Sequence, residues 1–449
     1  MFTADVCQKA RLSRDKRFDG LFYVAVRSTG IYCRPICPAP AAKEQNVEYF
    51  EHAHLAAQAG FRPCLRCRPD ASPGSYPWLG AQTTALRAKR LIDQGHWSNG
   101  GAEALSARLG VSSSYLNQLF KKHYGIAPGQ YALFSQCQFA KQLLQQTQLP
   151  ITEIAFAAGF NSVRRFNDAF KKLMQLTPSA IRTKAQFDAG SISLFLSFRP
   201  PYDWQAMQAF FNKRLVAPME WITAESYGRA FTYQGAKGEF TAHYQDKKQG
   251  FRVEISLDNW HCLQGVVANI RRVLDLDADT QVINGQLQSA VGEQFALTPG
   301  LRLPGMWDPF EAGIRAVLGQ QVSVGAARTL TTTLVKELGE QGRYFPTAKQ
   351  MAASELAFFK MPERRREALR DLSAYVAEHG SADLDAWLAI KGIGPWTVNY
   401  AKMRGSSDPD IYLGGDLGVQ KALAGFSGID IERAAPFRTY LTFQLWQQL

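Results

Sequence analysis

Four cysteines near the start of the chain constrain it more than any other feature: Cys33-Arg-Pro-Ile-Cys37, then Cys64-Leu-Arg-Cys67. Two close pairs of thiols can close a tetrahedron around one Zn²⁺ with bonds of ~2.3 Å. Both pairs share an Arg/Pro-rich setting, which argues against four chance thiols. Most Cys₄ sites are closed and structural. Here, however, Arg34, Arg62, Arg66 and Arg68 flank the ligands. Four thiolates on one divalent ion leave an excess of negative charge, which makes an exposed sulfur a good nucleophile. On the residues alone, a structural and a reactive zinc site both stay open.

The chain has 449 residues, enough for three or four domains at roughly 100–200 residues each. Its seven cysteines are an odd number, and the N-terminus has no apolar leader segment. Both argue against a disulfide framework and for a reducing, cytoplasmic setting. No apolar run approaches the ~18–20 residues of a membrane span, so no membrane partner is expected. The net charge is +12. Residues 1–190 hold 24 Lys+Arg against 12 Asp+Glu, whereas residues 191–449 hold 27 of each. All of the positive excess therefore sits in the first part, as expected of a nucleic-acid-binding half joined to a half with another task.

After Asp70 the pattern changes. SPGSYPWLG (72–80) reads as a linker. From Thr83 to about Lys184 the periodicity is helical, with Leu105, Leu109, Val111, Leu116, Leu119 and Phe120 at helical spacing. Gly110 makes a turn between two helices there, with Ser112 or Ser113 as N-cap of the second. The same design returns at Gly159, with Asn161 or Ser162 as cap, Phe166 and Phe170 facing inward, and Thr177-Pro178 as the end. Two helix-turn-helix units can place two helices in successive major grooves.

From Ser191 the alternation of ISLFLSF predicts a strand, followed by a helix, a Gly-punctuated strand meander and a further helix over 263–274. From about Gly305 the pattern is helical throughout. Gly392-Ile393-Gly394-Pro395 makes a tight turn between two helices and exposes backbone N–H groups suited to a phosphate oxygen. Asp416 follows a Gly-Gly turn further on.

Three resemblances rest on these strings. DGLFYVAVRSTGIYCRPICPAP and AGFRPCLRCRPD resemble the N-terminal zinc domain of the Ada family, over about Asp19–Asp70. That family transfers a methyl group from methylphosphotriesters in DNA to a zinc-bound cysteine. By position the resemblance implies Cys33 as acceptor, with Cys37, Cys64 and Cys67 completing the site, and a DNA-facing role for Arg34. Losing one negative charge on methylation implies tighter DNA binding. The paired helical repeat resembles the AraC-type DNA-binding domain. It implies double-stranded DNA and RNA polymerase as partners, with Ser113, Asn117, Gln118, Arg164 and Arg165 as base-reading positions.

Residues 191–449, with DPFEAGIRAVLGQQVSV and LAIKGIGPWTVNYAKMRGSSDPDIYLGGDLGVQKAL, resemble the helix-hairpin-helix DNA glycosylases, and within them the AlkA branch (3-methyladenine-DNA glycosylase II). The resemblance implies Asp416 as catalytic carboxylate and Trp396, Tyr400 and Trp446 as base-pocket aromatics. It further implies Gly392, Gly394 and Gln320 as DNA contacts, and Gln321 at the position of the wedge that fills the gap left by a flipped base. Trp396 stands where related lyases carry a Schiff-base lysine, so a monofunctional glycosylase is expected. No cysteine follows Cys262, so no iron–sulfur cluster is expected, and the Pro-Cys-His-Arg string of a second methyltransferase domain is absent.

The expected architecture is multidomain: a small α+β zinc domain (1–76), an all-α double helix-turn-helix domain (82–185), an α+β domain (191–300) and an all-α helix-hairpin-helix domain (301–449). The expected activity is an alkylation-damage DNA glycosylase fused to a zinc-cysteine methyl acceptor and a transcriptional activator module. The alternative is a regulator with a catalytically silent C-terminal half.

Overall fold

The computed structural model describes residues 2–15, 18–70, 80–98, 100–182, 191–292 and 295–449. The linker expected at 72–80, all but Gly80, and the end of the helical stretch at Lys184 lie outside the described residues. The chain forms two compact units, Met1–Leu86 and Arg87–Leu449.

The first unit holds α1 (Ala4–Ser13), β1 (Tyr23–Val26), β2 (Ile31–Cys33), β3 (Val47–Phe50), α2 (Ala53–Gln58) and β4 (Arg62–Pro63). Its sheet runs β3-β1-β2-β4. β1 pairs antiparallel with β2 and β3, and β2 pairs parallel with β4, Ile31 facing Arg62. The strand period of two sends Phe22 and Val24 towards Cys7 and Ala10 of α1, and Tyr23 and Ala25 towards Ala56 of α2. Each face buries a cluster of only a few side chains.

The second unit begins in α3 (Ala81–Asp93), followed by α4 (Gly101–Leu109) and α5 (Ser113–Tyr124), the long α6 (Pro128–Gln146), then α7 (Ile151–Ala157) and α8 (Val163–Met174). These are the two helix-turn-helix units. The serines, not their alternatives, make the caps: Ser112 accepts from Tyr115 N and Ser162 from Arg165 N, both at 3.2 Å. Gly159 has φ +81°, and a Cβ there would lie 2.1 Å from Ser98 Oγ, so the second turn needs glycine. Phe166 and Phe170 are fully buried. The end of the repeat differs from expectation. α8 stops at Met174 with Gln175 left-handed (φ 59°), and Thr177 instead caps a short helix α9 (Pro178–Ile181).

Next come β5 (Ser191–Ser197), α10 (Trp204–Lys213), β6 (Glu220–Ile222), β7 (Ser226–Tyr233), β8 (Ala236–Gln245), β9 (Gly250–Leu257), α11 (Leu263–Val273) and α12 (Thr280–Val291). The sheet is antiparallel throughout, in the order β5-β9-β8-β7-β6. Edge strand β5 is not left open. Gln146 Oε1 accepts from Phe195 N at 2.8 Å and Gln142 Nε2 donates to Phe195 O at 3.2 Å, both from α6. Leu143, Phe166 and Phe170 share one apolar cluster with Ile192, Leu194 and Phe231, so the second helix-turn-helix unit and the sheet have a common core.

The remaining helices are α13 (Pro309–Leu318), α14 (Val324–Leu338), α15 (Ala348–Ala352), α16 (Glu363–His379), α17 (Pro395–Tyr400, continued as a π-turn to Gly405), α18 (Leu417–Ala424) and α19 (Arg438–Trp446). A buried ion cluster ties α13 to the sheet. Arg229 Nη2 lies 2.8 Å from Glu311 Oε2, and Arg315 Nη2 lies 2.8 Å from Glu311 Oε1 and 3.0 Å from Glu220 Oε1. Among the described residues no helix is long and apolar enough to cross a membrane.

Candidate functional sites

In the first unit the parallel pairing of β2 with β4 brings the two halves of the cysteine motif together. Cys33 ends β2, and the N–H of Cys64 continues the ladder by donating to Tyr32 O at 2.9 Å. Turns then fold the second cysteine of each pair back, with Cys37 N on Arg34 O (3.1 Å) and Arg68 N on Cys64 O (2.9 Å). The Sγ atoms of Cys33, Cys37, Cys64 and Cys67 all lie within 4.8 Å of one another. Cys37 and Cys64 are separated by 3.9 Å, close to the ~3.8 Å edge of a tetrahedron built on ~2.3 Å zinc–sulfur bonds. Crowded thiols oppose each other's ionisation: hydrogen bonds to Cys37 and Cys67 push the Cys33 thiol far up, while the bond from Cys33 holds Cys37 down at about 2. A central dication removes that conflict, so the donor set fits the metal. Cys33 and Cys37 are half-buried, Cys64 and Cys67 buried.

Arg34 departs from its expected DNA-facing role. It is 6% exposed, with Nε donating to Asp19 Oδ1 at 2.8 Å, Nη2 to Asp19 Oδ2, and Nη1 to Cys67 O at 3.1 Å. Its backbone N–H donates to Cys67 Sγ at 3.3 Å. The guanidinium links Asp19 to the Cys67 loop, and the paired Asp19 carboxylate offsets the cost of burying its charge.

In the helix-turn-helix units Arg164 and Arg165 are exposed at the start of α8, and Gln118 is exposed on α5. Asn117 is half-buried, and Ser113 is turned to Ser106, Oγ to Oγ at 2.9 Å.

In the C-terminal helices the hairpin Ile390–Gly394 joins a 3₁₀ turn (Asp385–Ala389) to α17. Gly392 has φ +90° and a Cβ there would meet that of Ala368 at 3.0 Å, so only glycine suits it. Gly394 is the N-cap of α17. Trp396 and Tyr400, one turn apart on α17, stack at 5.2 Å. Asp416 is the N-cap of α18, and its Oδ1 accepts from Gly418 N (2.9 Å), Val419 N (3.1 Å) and Trp446 Nε1 (3.0 Å). Oδ2 accepts no hydrogen bond from the described residues. Asp416, Trp396, Tyr400 and Trp446 are each partly exposed. Trp396, Tyr400 and Trp446 all border one apolar cluster with Leu413 and Val419, the residues flanking the Asp416 turn.

Gln320 and Gln321 follow α13 and part ways. Gln320 Nε2 lies 3.3 Å from both Gly392 O and Thr397 Oγ1, and its own carbonyl accepts from Arg365 Nη2 at 2.9 Å. It therefore ties this turn to the hairpin. Gln321 is exposed at the tip in the left-handed region (φ 57°).

Sequence reasoning missed Phe210 and Arg214. Phe210, on α10 of the α+β domain, joins the same cluster and lies 6.3 Å from the Trp446 ring at 23°. Arg214 Cζ sits 3.8 Å from the Phe210 centroid. A Phe and an Arg one helical turn apart look like an ordinary amphipathic helix, so no local signal separates them from core and surface.

A four-cysteine cluster suited to zinc, a double helix-turn-helix and a carboxylate among aromatics beside a glycine hairpin together define a DNA-repair regulator fused to a base-excision fold. Residues 6–70 match the metal binding domain of Ada, residues 105–184 a helix-turn-helix domain, and residues 193–308 the AlkA N-terminal domain. The probable bifunctional transcriptional activator/DNA repair enzyme AlkA of Mycobacterium tuberculosis is 35% identical over 99% of this chain and 96% of its own length. The chain belongs to that family. DNA-3-methyladenine glycosylase 2 of Escherichia coli is 33% identical over 56% of this chain and 95% of its own. The bifunctional transcriptional activator/DNA repair enzyme Ada of the same bacterium is 35% identical over 35% of this chain and 43% of its own. Cys33, Cys37, Cys64 and Cys67 are accordingly the ligands of one Zn²⁺.

Proposed function

We propose that the chain hydrolyses the N-glycosidic bond of alkylated bases such as 3-methyladenine, and that the first unit accepts methyl groups from methylphosphotriesters while the helix-turn-helix domain addresses promoters. The domains run 1–76, 82–185, 191–300 and 301–449. The observation that carries the glycosylase reading is the fixation of Asp416 Oδ1 by two backbone N–H groups and the Trp446 indole, with Oδ2 left for substrate.

The target base leaves the stack and enters among Trp396, Tyr400 and Trp446, whose ring faces attract a cationic alkylpurine. As the bond from C1′ to the base nitrogen breaks, its electron pair leaves with the base and positive charge grows on the sugar. The Asp416 carboxylate stabilises that charge and orients the water, whose oxygen bonds C1′ while its proton is released. Water is the nucleophile because Trp396 occupies the place of a lyase lysine, so the strand is not cleaved. Gly392 and Gly394 face the DNA backbone, Gln320 braces the hairpin, and Gln321 fills the gap in the duplex.

In the first unit a Zn²⁺ held by Cys33, Cys37, Cys64 and Cys67 would keep their sulfurs as thiolates. Cys33, one of the two accessible ligands, attacks the methyl carbon: an S–C bond forms, the C–O bond breaks, and the phosphate leaves as a diester anion. Less negative charge then faces the DNA. Asn117, Gln118, Arg164 and Arg165 read the operator and RNA polymerase is the protein partner.

Base release from methylated duplex DNA tests the main reading. Wild type releases 3-methyladenine, Asp416→Asn does not, and the nicked strand appears only after alkali. An inactive wild type leaves a pure regulator instead. A single methyl adduct on Cys33 after incubation with methylated DNA tests the acceptor.

A further inference from the structure

The helix-turn-helix domain is built onto the base-excision fold rather than tethered to it. The apolar side of α8 puts Phe166 and Phe170 into the core shared with Ile192, Leu194 and Phe231 of the sheet. Gln142 and Gln146 of α6 hydrogen-bond Phe195 of edge strand β5. Phe156 of α7 stacks on His261, just before α11, with ring centroids 5.1 Å apart and planes at 15°. Arg90 of α3 reaches further still: its Nη2 donates at 2.7 Å to Ser406 O, where the π-turn after α17 ends. The DNA-binding helices are thus fixed to the half that carries Asp416, within one compact unit.

Charge is divided unevenly across this joint. Residues 82–185 hold 13 Lys+Arg against 4 Asp+Glu, whereas residues 191–449 hold 27 of each. Affinity for duplex DNA comes largely from neutralising its phosphates. In the hairpin Lys391 is exposed, but Arg365 is turned onto Gln320 O and Arg366 onto Glu363. The DNA-binding helices differ. α5 and α8 each carry a Lys-Lys pair in the last turn, Lys121-Lys122 and Lys171-Lys172, and all four side chains are exposed. No ion pair to a described residue engages any of the four. α8 therefore sinks its phenylalanines into the shared core and turns its cations to solvent.

We propose that the helix-turn-helix domain has a second task, as the loading surface of the glycosylase: Lys121, Lys122, Lys171 and Lys172 hold phosphates of the damaged duplex in any sequence and supply the affinity that the neutral half lacks. Reading an operator takes base contacts from Asn117, Gln118, Arg164 and Arg165, whereas loading takes only charge. Because the joint is fixed, DNA held on α5 and α8 stays at a raised effective concentration around the Asp416 site. Binding then tightens without any change in the chemical step. This role rests on the glycosylase reading.

The test uses the full chain and random-sequence duplexes with one central 7-methylguanine, about one helical turn (~12 base pairs) or about six turns (~60 base pairs) long. Single-turnover base release, with protein in excess, gives a half-saturating concentration and a limiting rate. The variant carries Lys121→Gln, Lys122→Gln, Lys171→Gln and Lys172→Gln. A lysine in a last helical turn also complements the helix dipole, so thermal melts read that structural effect separately. The wild type half-saturates at a roughly tenfold lower concentration on the long duplex than on the short one, and the advantage shrinks as salt rises. In the variant the salt slope on the long duplex is shallower by about one for each lysine on a phosphate, the advantage of length is lost and the limiting rate is unchanged. Equal half-saturation on both lengths in the wild type overturns the proposal. So does a variant whose binding is unchanged, or weakened equally on both lengths. A wild type that releases no base from either duplex refutes the glycosylase reading, and the loading role falls with it.

Discussion

The indole N–H of Trp446, the last residue of α19, donates to Asp416 Oδ1 at 3.0 Å, so the C-terminal helix fixes the carboxylate across thirty residues of chain. Trp446 is therefore more than one ring of the aromatic cluster. Trp446→Phe keeps the ring and removes the donor. A hydrogen bond to a charged group is worth about 1.5–3 kcal/mol, so single-turnover base release slows roughly 10–100-fold with little change in KM. A rise in KM alone would make Trp446 a stacking surface only.

The same helix carries a pH-sensitive anchor. Tyr440 donates to Asp275 Oδ2 at 2.9 Å, and Leu303 N donates to that oxygen at 2.9 Å. Burial pushes the Asp275 carboxyl up to about 7. In the unfolded chain it titrates near ~3.9. Between these values the folded protein holds a proton that the unfolded chain has released. Its contribution to stability is thus complete below ~4 and is lost as pH rises through 7. Asp275→Asn cannot ionise, and its amide oxygen still accepts. The difference in Tm between wild type and Asp275→Asn grows in favour of the variant from pH 5 to pH 8, read by thermal melts across that range.

The legible parts are those where neighbours in sequence are neighbours in space. The Cys33/Cys37 and Cys64/Cys67 pairs, the Gly392–Gly394 hairpin and the two serine caps each need only a few consecutive residues. Asp416 and Trp446 lie thirty residues apart, and family position rather than periodicity links them. Phe210 and Arg214 come to Asp416 from about two hundred residues upstream, across a domain border, and no local pattern announces that. Arg34 reads as a surface charge because composition reports the sign of a residue and not the direction of its side chain; Asp19 turns it inward.

A Zn²⁺ on the four cysteines would hold the first unit together. The two apolar clusters that flank its sheet are too small to fold so short a segment alone, and the four cysteines join β2, β4 and the loops after them. Stripping the ion with a strong chelator exposes new protease sites between residues 18 and 70. The second unit, which has its own large cores, keeps its digestion pattern. Mass spectrometry of the fragments checks this, and unchanged cleavage in both units would mean that the metal is not structural.

Gln321 should matter only where there is a stack to fill. It stands exposed at φ 57°, while Gln320 beside it is pinned to Gly392, Thr397 and Arg365. The turn is thus rigid and its tip is free to enter DNA. A polar wedge can hydrogen-bond the widowed partner base, though it stacks less well than an apolar one. Gln321→Gly suits the left-handed backbone and removes the whole side chain. Release of an alkylated base from duplex DNA falls about tenfold, and release from single-stranded DNA, which has no partner base and no gap, does not change. Equal losses on both substrates would place Gln321 outside the wedge position and make the turn a general DNA contact.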